Sequence, residues 1–193
     1  MTNILTESEW YLLQSEMSKM WHDGNSAGAL LILERVLADG SGEMKRVALM
    51  LAGMIKEGEG DYEGAANDWS RGLSFSSENP FVKFQLELNL GRLAEKSGNP
   101  VAARDWYLAA LKTCLVGDGF SGVEVVSEFW SLTEGSISDE ERALVSAVVE
   151  ISWSVHEIIG EPDLRNLGDA ISRLKAGLKS QIEAIHNATE LDG

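Results

Sequence analysis

Small and large apolar residues recur along the first two thirds of the chain with a spacing that fits helices rather than strands. Three segments align without a gap from Gly24, Gly60 and Gly98, anchors that lie 36 and 38 residues apart. Five residues after each Gly stands Ala29, Ala65 or Ala103, nine after it Leu33, Trp69 or Tyr107, and thirteen after it Leu37, Leu73 or Leu111. Steps of four keep these side chains on one helical face. Each Gly is followed by Asn25, Asp61 or Asn99, which suits a tight turn: Gly tolerates positive φ, and Asn or Asp caps the next helix. Pro100 strengthens the third start, because a first-turn Pro loses no intrahelical bond. Seven residues before each Gly lies Met17, Gly53 or Gly91, and a small residue there lets two helices approach closely. Each unit is predicted to be a helix, a turn and a second helix.

The repeat stops after Leu115, and Val116 to Gly122 reads as a loop. Ser121 with Glu124, Ser138 with Glu141 and, near the start, Thr6 with Glu9 have capping-box spacing. The helix opened by Ser138 is predicted to stop at Gly160-Glu161-Pro162. A last helix is expected over 164–185, with Leu164, Leu167, Ile171, Leu174, Leu178, Ile182 and Ile185 on one stripe. The pattern predicts nine helices and no strand. The C-terminal helices read as a cap, since a repeat array otherwise ends on an apolar face.

The hairpin, the small residue before the turn, the Gly-Asp/Asn turn, the following Ala and the aromatic four residues on together resemble the tetratricopeptide repeat. The resemblance covers Trp10 to Leu115, most closely at Gly53, Gly60, Asp61, Tyr62, Ala65 and Trp69, and at Gly91, Gly98, Ala103, Tyr107 and Ala110. The chain departs from that family at Lys56, where an aromatic is usual, at Glu87, where a large apolar residue is usual, and at the closing Pro, displaced to Pro80. The resemblance implies an all-α, right-handed solenoid. About three hairpins would fill residues 1–115, with 116–193 a helical extension on the same domain. It also implies a concave surface lined by the first helix of each unit.

Val47 to Ile55 is a run of nine residues with no polar side chain. The resemblance puts Val47, Met50, Leu51 and Met54 on the concave surface, where Met-rich area adapts to varied partners. The other reading makes Met50 and Met54 ordinary core beneath the C-terminal helices. In the third unit the matching positions are Gln85, Leu88, Asn89, Arg92 and Lys96. Asn89 and Arg92 suggest the carboxylate clamp of some relatives, but the first two units lack its Lys and Asn. Trp21, one of six Trp, is a candidate for exposure in the groove, whereas Trp69 sits on the core stripe.

Charge changes the picture of the extension. The 193 residues carry 16 Lys+Arg against 31 Asp+Glu, a formal net charge of -15, which repels phosphate backbones and disfavours nucleic acid and anionic membranes. Residues 1–115 hold 11 basic and 16 acidic groups, whereas 116–161 hold one basic group, Arg142, and ten acidic ones. Glu124, Glu128, Glu134, Glu140 and Glu141 therefore read either as a solvated face or as a docking surface for a basic partner.

Sites for chemistry are not expected. Asp23 to Glu34 matches a calcium loop in part, but Ala27 offers no ligand oxygen at its fifth position. His22, His156 and His186 lack zinc spacing, Cys114 reads as core, and Gly58, Gly60 and Gly64 lack the ending of a phosphate loop. No leader and no long apolar stretch are legible, so a soluble cytoplasmic protein without cofactor or metal is expected. The expected function is a non-enzymatic module that binds and sequesters or neutralises a partner protein, such as an immunity-type inhibitor of a basic toxin or nuclease. A chaperone or adaptor for a secreted substrate and a structural homo-oligomeriser stay open, with the chain a monomer or weak homodimer.

Overall fold

Three turns with the same backbone chemistry set the helix pairs. In the computed structural model, residues 5–75, 79–117, 122–133 and 136–159 are described. Helix α1 (Glu7–His22) turns at Gly24 into α2 (Ser26–Asp39), and α3 (Gly42–Gly58) turns at Gly60 into α4 (Tyr62–Ser74). Helix α5 (Pro80–Lys96) turns at Gly98 into α6 (Pro100–Val116). The three glycines have φ of 79°, 85° and 73°, the left-handed region that a side chain disfavours. At each turn the Gly N–H and the next N–H reach back to close the helix, as in Asn25 N–H to Met20 O (2.8 Å) and Asp61 N–H to Lys56 O (2.9 Å). The same Asn or Asp then opens the following helix. Asn25, Asp61 and Asn99 accept from the N–H of Gly28, Gly64 and Ala102 at 3.0, 2.9 and 3.1 Å.

The stripe expected from the sequence is the packed seam of each hairpin. Ala29, Ala65 and Ala103 are fully buried, as are Leu33, Trp69 and Tyr107. Size is exchanged across the seam. A Cβ on Gly53 would overlap the Trp69 indole, and one on Gly91 would overlap the Tyr107 ring. In the first hairpin the larger Met17 is matched by the smaller Leu33, and both are buried. The polar tips are satisfied: Trp69 Nε1 donates to Met50 O (3.1 Å), and the Tyr107 hydroxyl donates to Glu95 (2.8 Å).

Hairpins pack in succession through the flanks of their first helices. Met44, Ala48, Ala52 and Ile55 of α3 join the core of the first hairpin, and Val82, Leu86, Leu90 and Leu93 of α5 join Ala65 and Trp69 of the second. The equivalent positions of α1 are Ser8, Leu12, Glu16 and Lys19, all exposed. That flank is mostly polar, unlike those of α3 and α5.

Two further helices, α7 (Gly122–Thr133) and α8 (Asp139–Ile159), extend the same core. Val125, Phe129, Leu144, Val145 and Val148 form one cluster with Phe84, Leu88, Tyr107, Leu111 and Cys114. Helix α8 starts on the expected box, with Ser138 N–H donating to Glu141 (2.7 Å) and Glu141 N–H to Ser138 Oγ (3.3 Å). Thr6 and Glu9 form the same box at α1. The fold is all-helical, with eight helices and no strand among the described residues. The ninth helix expected over 164–185 and the stop at 160–162 lie outside them, as does Ser121. No helix among the described residues is long and apolar enough to cross a membrane.

The size exchange across the seam gives a direct test. Gly91→Ala is expected to destabilise the protein by about 1–3 kcal/mol through overpacking. Adding Tyr107→Leu, which gives this position the leucine that the first hairpin has at Leu33, should recover part of that loss in urea unfolding. Additive effects of the two changes would mean that the ring and the glycine do not share this space.

Candidate functional site

The face of α3 that carries Val47, Met50, Leu51 and Met54 follows from helical spacing, since these residues stand at i, i+3, i+4 and i+7. Its neighbours on α3 are taken up on both sides: Met44, Ala48 and Ala52 by the first hairpin, and Leu49 and Gly53 in buried packing. Val47, Met50 and Leu51 remain half-buried, and Met54 is 37% exposed. Met50 also packs against the core between the second and third hairpins. Met50 is thus a boundary residue and Met54 is partly exposed, and the expected cover of this face by the last helix lies outside the described residues.

On α5 the same register holds Gln85 and Asn89, both half-buried, and neither side-chain amide has a hydrogen-bond partner among the described residues. Leu88 differs from its expected place in the groove. It is fully buried in the core shared with α7 and α8. Trp21 is half-buried and packs against the core of the first two hairpins, so its ring is largely a core element. Lys96 lies over the Tyr62 ring at 4.3 Å and 3.7 Å from Glu57, which ties α5 to the turn of the second hairpin.

The structure brings together Arg92, Glu124 and Glu128, which the sequence placed in two separate candidate surfaces. Arg92 Nε donates to Glu128 Oε1 (2.8 Å), and its Nη2 bridges Glu128 and Glu124. Burial opposes the Arg92 charge, but the two carboxylates outweigh it and raise its pKa above the ordinary guanidinium value. Two carboxylates on one guanidinium leave a surplus negative charge here. Among the described residues, the buried Glu128 Oε2 has no hydrogen-bond partner. Beside this group, burial and then Glu95 push the Tyr107 hydroxyl up, so it stays a neutral donor.

A second cross-helix pair joins α6 to α8. Arg104 donates to Glu141 through Nε (3.0 Å) and Nη2 (2.7 Å to each oxygen). Burial pushes the Glu141 carboxyl up, but the Ser138 N–H and the Arg104 guanidinium outweigh it and hold it below the usual carboxylate range. Of the five acids expected to form a docking surface, Glu124, Glu128 and Glu141 are therefore engaged internally. Glu140 is exposed, and Glu134 lies outside the described residues.

The remaining candidates resolve into structural roles. Within the calcium-like segment, Asp23 ends α1 and the Asn25 side chain caps α2. Among the described residues no group of three or more acids, His or Cys is placed to hold a metal ion. Cys114 is buried in the core of the third hairpin. Sequence reasoning noted Glu87 only as a departure from pattern, and it missed the buried polar group that this residue forms. Glu87, 4% exposed, accepts from Thr113 Oγ1 at 2.6 Å.

Two measurements follow. Arg92→Ala should cost roughly 1 kcal/mol after allowance for solvent screening, and it should raise amide exchange in α7 more than in α1. Glu141 titrates below the usual range in the folded chain, so its contribution is full above the unfolded carboxylate pKa and is lost as pH falls through the folded value. Urea unfolding of Glu141→Gln against the parent is expected to show a deficit at neutral pH that shrinks in acid. Compared with known proteins, the chain matches no family model, no curated protein and no solved structure.

Proposed function

We propose that the chain is a divergent tetratricopeptide-like array, a right-handed solenoid of hairpins, that works as a non-enzymatic binding module and sequesters a partner protein in the cytoplasm. The observation that carries this reading is the row Val47, Met50, Leu51 and Met54. These apolar side chains remain partly open to solvent on a helix whose other faces are packed. Partly exposed Met and branched residues beside Gln85 and Asn89, whose amides have no hydrogen-bond partner among the described residues, suit a partner segment that brings both apolar side chains and backbone groups. On this reading the module shields an apolar segment of its partner, as a cargo chaperone does.

A second observation supports the inhibitor of a basic toxin or nuclease. The chain's net charge is -15, and Glu124 at the Arg92 cluster and Glu140 on α8 stay exposed. Such charge would steer a basic partner and speed its association. The internal pairing of Glu128 and Glu141 narrows that surface to fewer residues.

The experiment is capture of partners from native lysate by the tagged full chain, followed by affinity measurement with the purified partner. Met54→Asp, at an exposed position, should leave the circular dichroism unchanged and weaken binding at least tenfold, or about 1.4 kcal/mol. Glu124→Gln with Glu140→Gln should change mainly the association rate and its salt dependence if the partner is basic. Partner binding unaffected by both sets of changes would remove this face and this charge from the function.

A further inference from the structure

The third hairpin breaks the rule that the other two keep. In register with Glu87 stand Leu13 of α1 and Leu49 of α3, both buried. A carboxylate in place of leucine gives up apolar burial and must be desolvated, a cost that Thr113, Lys83 and the buried Arg46 offset only in part, since the Glu87 carboxyl is still pushed up. Beside it, between the N-terminal half of α5 and the C-terminal half of α6, lies a cleft of about 370 Å3. That is within the size range of small-molecule pockets.

The chemistry of the cleft has three parts. The floor is Glu87. Its Oε2 accepts from Thr113, while its Oε1 is ion-paired with Lys83 Nζ at 3.6 Å, a contact loose enough for a second cation to share the oxygen. The rim carries two ammonium groups on facing helices, Lys83 and Lys112, and Lys112 has no carboxylate partner among the described residues. The walls include the apolar Pro80, Ala109 and Val116. A buried acceptor, two cations at the mouth and an apolar wall call for a molecule with a donor cation, an anion and a small apolar body. A simple organic anion would leave Glu87 unanswered, and a simple amine would meet the lysines.

We infer that this cleft binds a free apolar α-amino acid, its ammonium on Glu87 Oε1, its carboxylate on Lys83 and Lys112, and its side chain against Pro80, Ala109 and Val116. Burial pushes the Glu87 carboxyl up, with Thr113 and Lys83 opposing, and an incoming ammonium would favour its ionised form. The site is separate from the α3 face, so either can stand without the other.

The test titrates the full chain with L-valine, L-leucine, L-methionine and L-phenylalanine, followed by amide NMR shifts and by thermal unfolding. Saturable binding of at least one is expected, with shifts centred on residues 80–87 and 109–116. Isocaproate and isoamylamine, which each keep one charge of leucine's two, should bind at least tenfold more weakly than leucine, or not at all if leucine is not the favoured ligand. Lys112→Ala should weaken binding about tenfold, and Lys112→Arg should restore part of it. Glu87→Leu, which installs the residue used by the other hairpins, should abolish binding, with circular dichroism reporting that the helical fold is kept. No saturable binding of any of the four, or binding that survives both Glu87→Leu and Lys112→Ala, overturns the assignment.

Discussion

The close approach of the two helices in each hairpin depends on a trade of volume across one seam position. Where the second helix presents a large ring, Trp69 or Tyr107, the first helix presents Gly53 or Gly91, and the ring lies on the backbone itself. Where the first helix keeps a side chain, Met17, the second gives the smaller Leu33. The seam thereby conserves volume while the identity of its members changes, which is how densely packed cores tolerate variation. The buried alanines, the left-handed glycines and the flank contacts between hairpins all require this interaxial distance. The Trp69 indole adds a directional element, because its N–H reaches the backbone of the opposite helix.

Charge holds the later helices where apolar packing begins the work. Helices α7 and α8 bring many carboxylates and little positive charge of their own, so the cations come from the third hairpin. Arg92 meets α7, and Arg104 meets α8 at the residue that also caps it. Both arginines are partly buried, and the planar guanidinium satisfies a carboxylate from two sides, which a lysine cannot do. Part of the chain's acidity is thus a device of assembly rather than a free surface.

Much of the helical plan was legible because it is local. Gly24, Gly60 and Gly98 with their following Asn or Asp, the boxes at Thr6 and Ser138, and the stripes Ala29 to Leu37, Ala65 to Leu73 and Ala103 to Leu111 each act within a single hairpin or helix end. The ion pairs were not legible, since Arg92 and Glu128 lie 36 residues apart and Arg104 and Glu141 lie 37 apart. A list of charges along the chain contains no sign of which carboxylate faces which cation. The α3 face was legible as apolar but not as half-open, because exposure depends on what neighbouring helices leave uncovered. Glu87 stood out in the repeat alignment, but the alignment carried no information about the cleft beside it.

The flank of α1 differs from the flanks by which the later hairpins stack. Stacked hairpins are inherently open-ended, because any unit that exposes the flank used between neighbours invites another copy of the chain to dock there, and a heterologous contact of that kind that does not close leads to filaments. With Ser8, Glu16 and Lys19 around the lone Leu12, this chain lacks the apolar strip that Met44, Ala48, Ala52 and Ile55 supply one hairpin later. At these positions α1 therefore presents three polar side chains and one leucine where the later hairpins present an apolar strip.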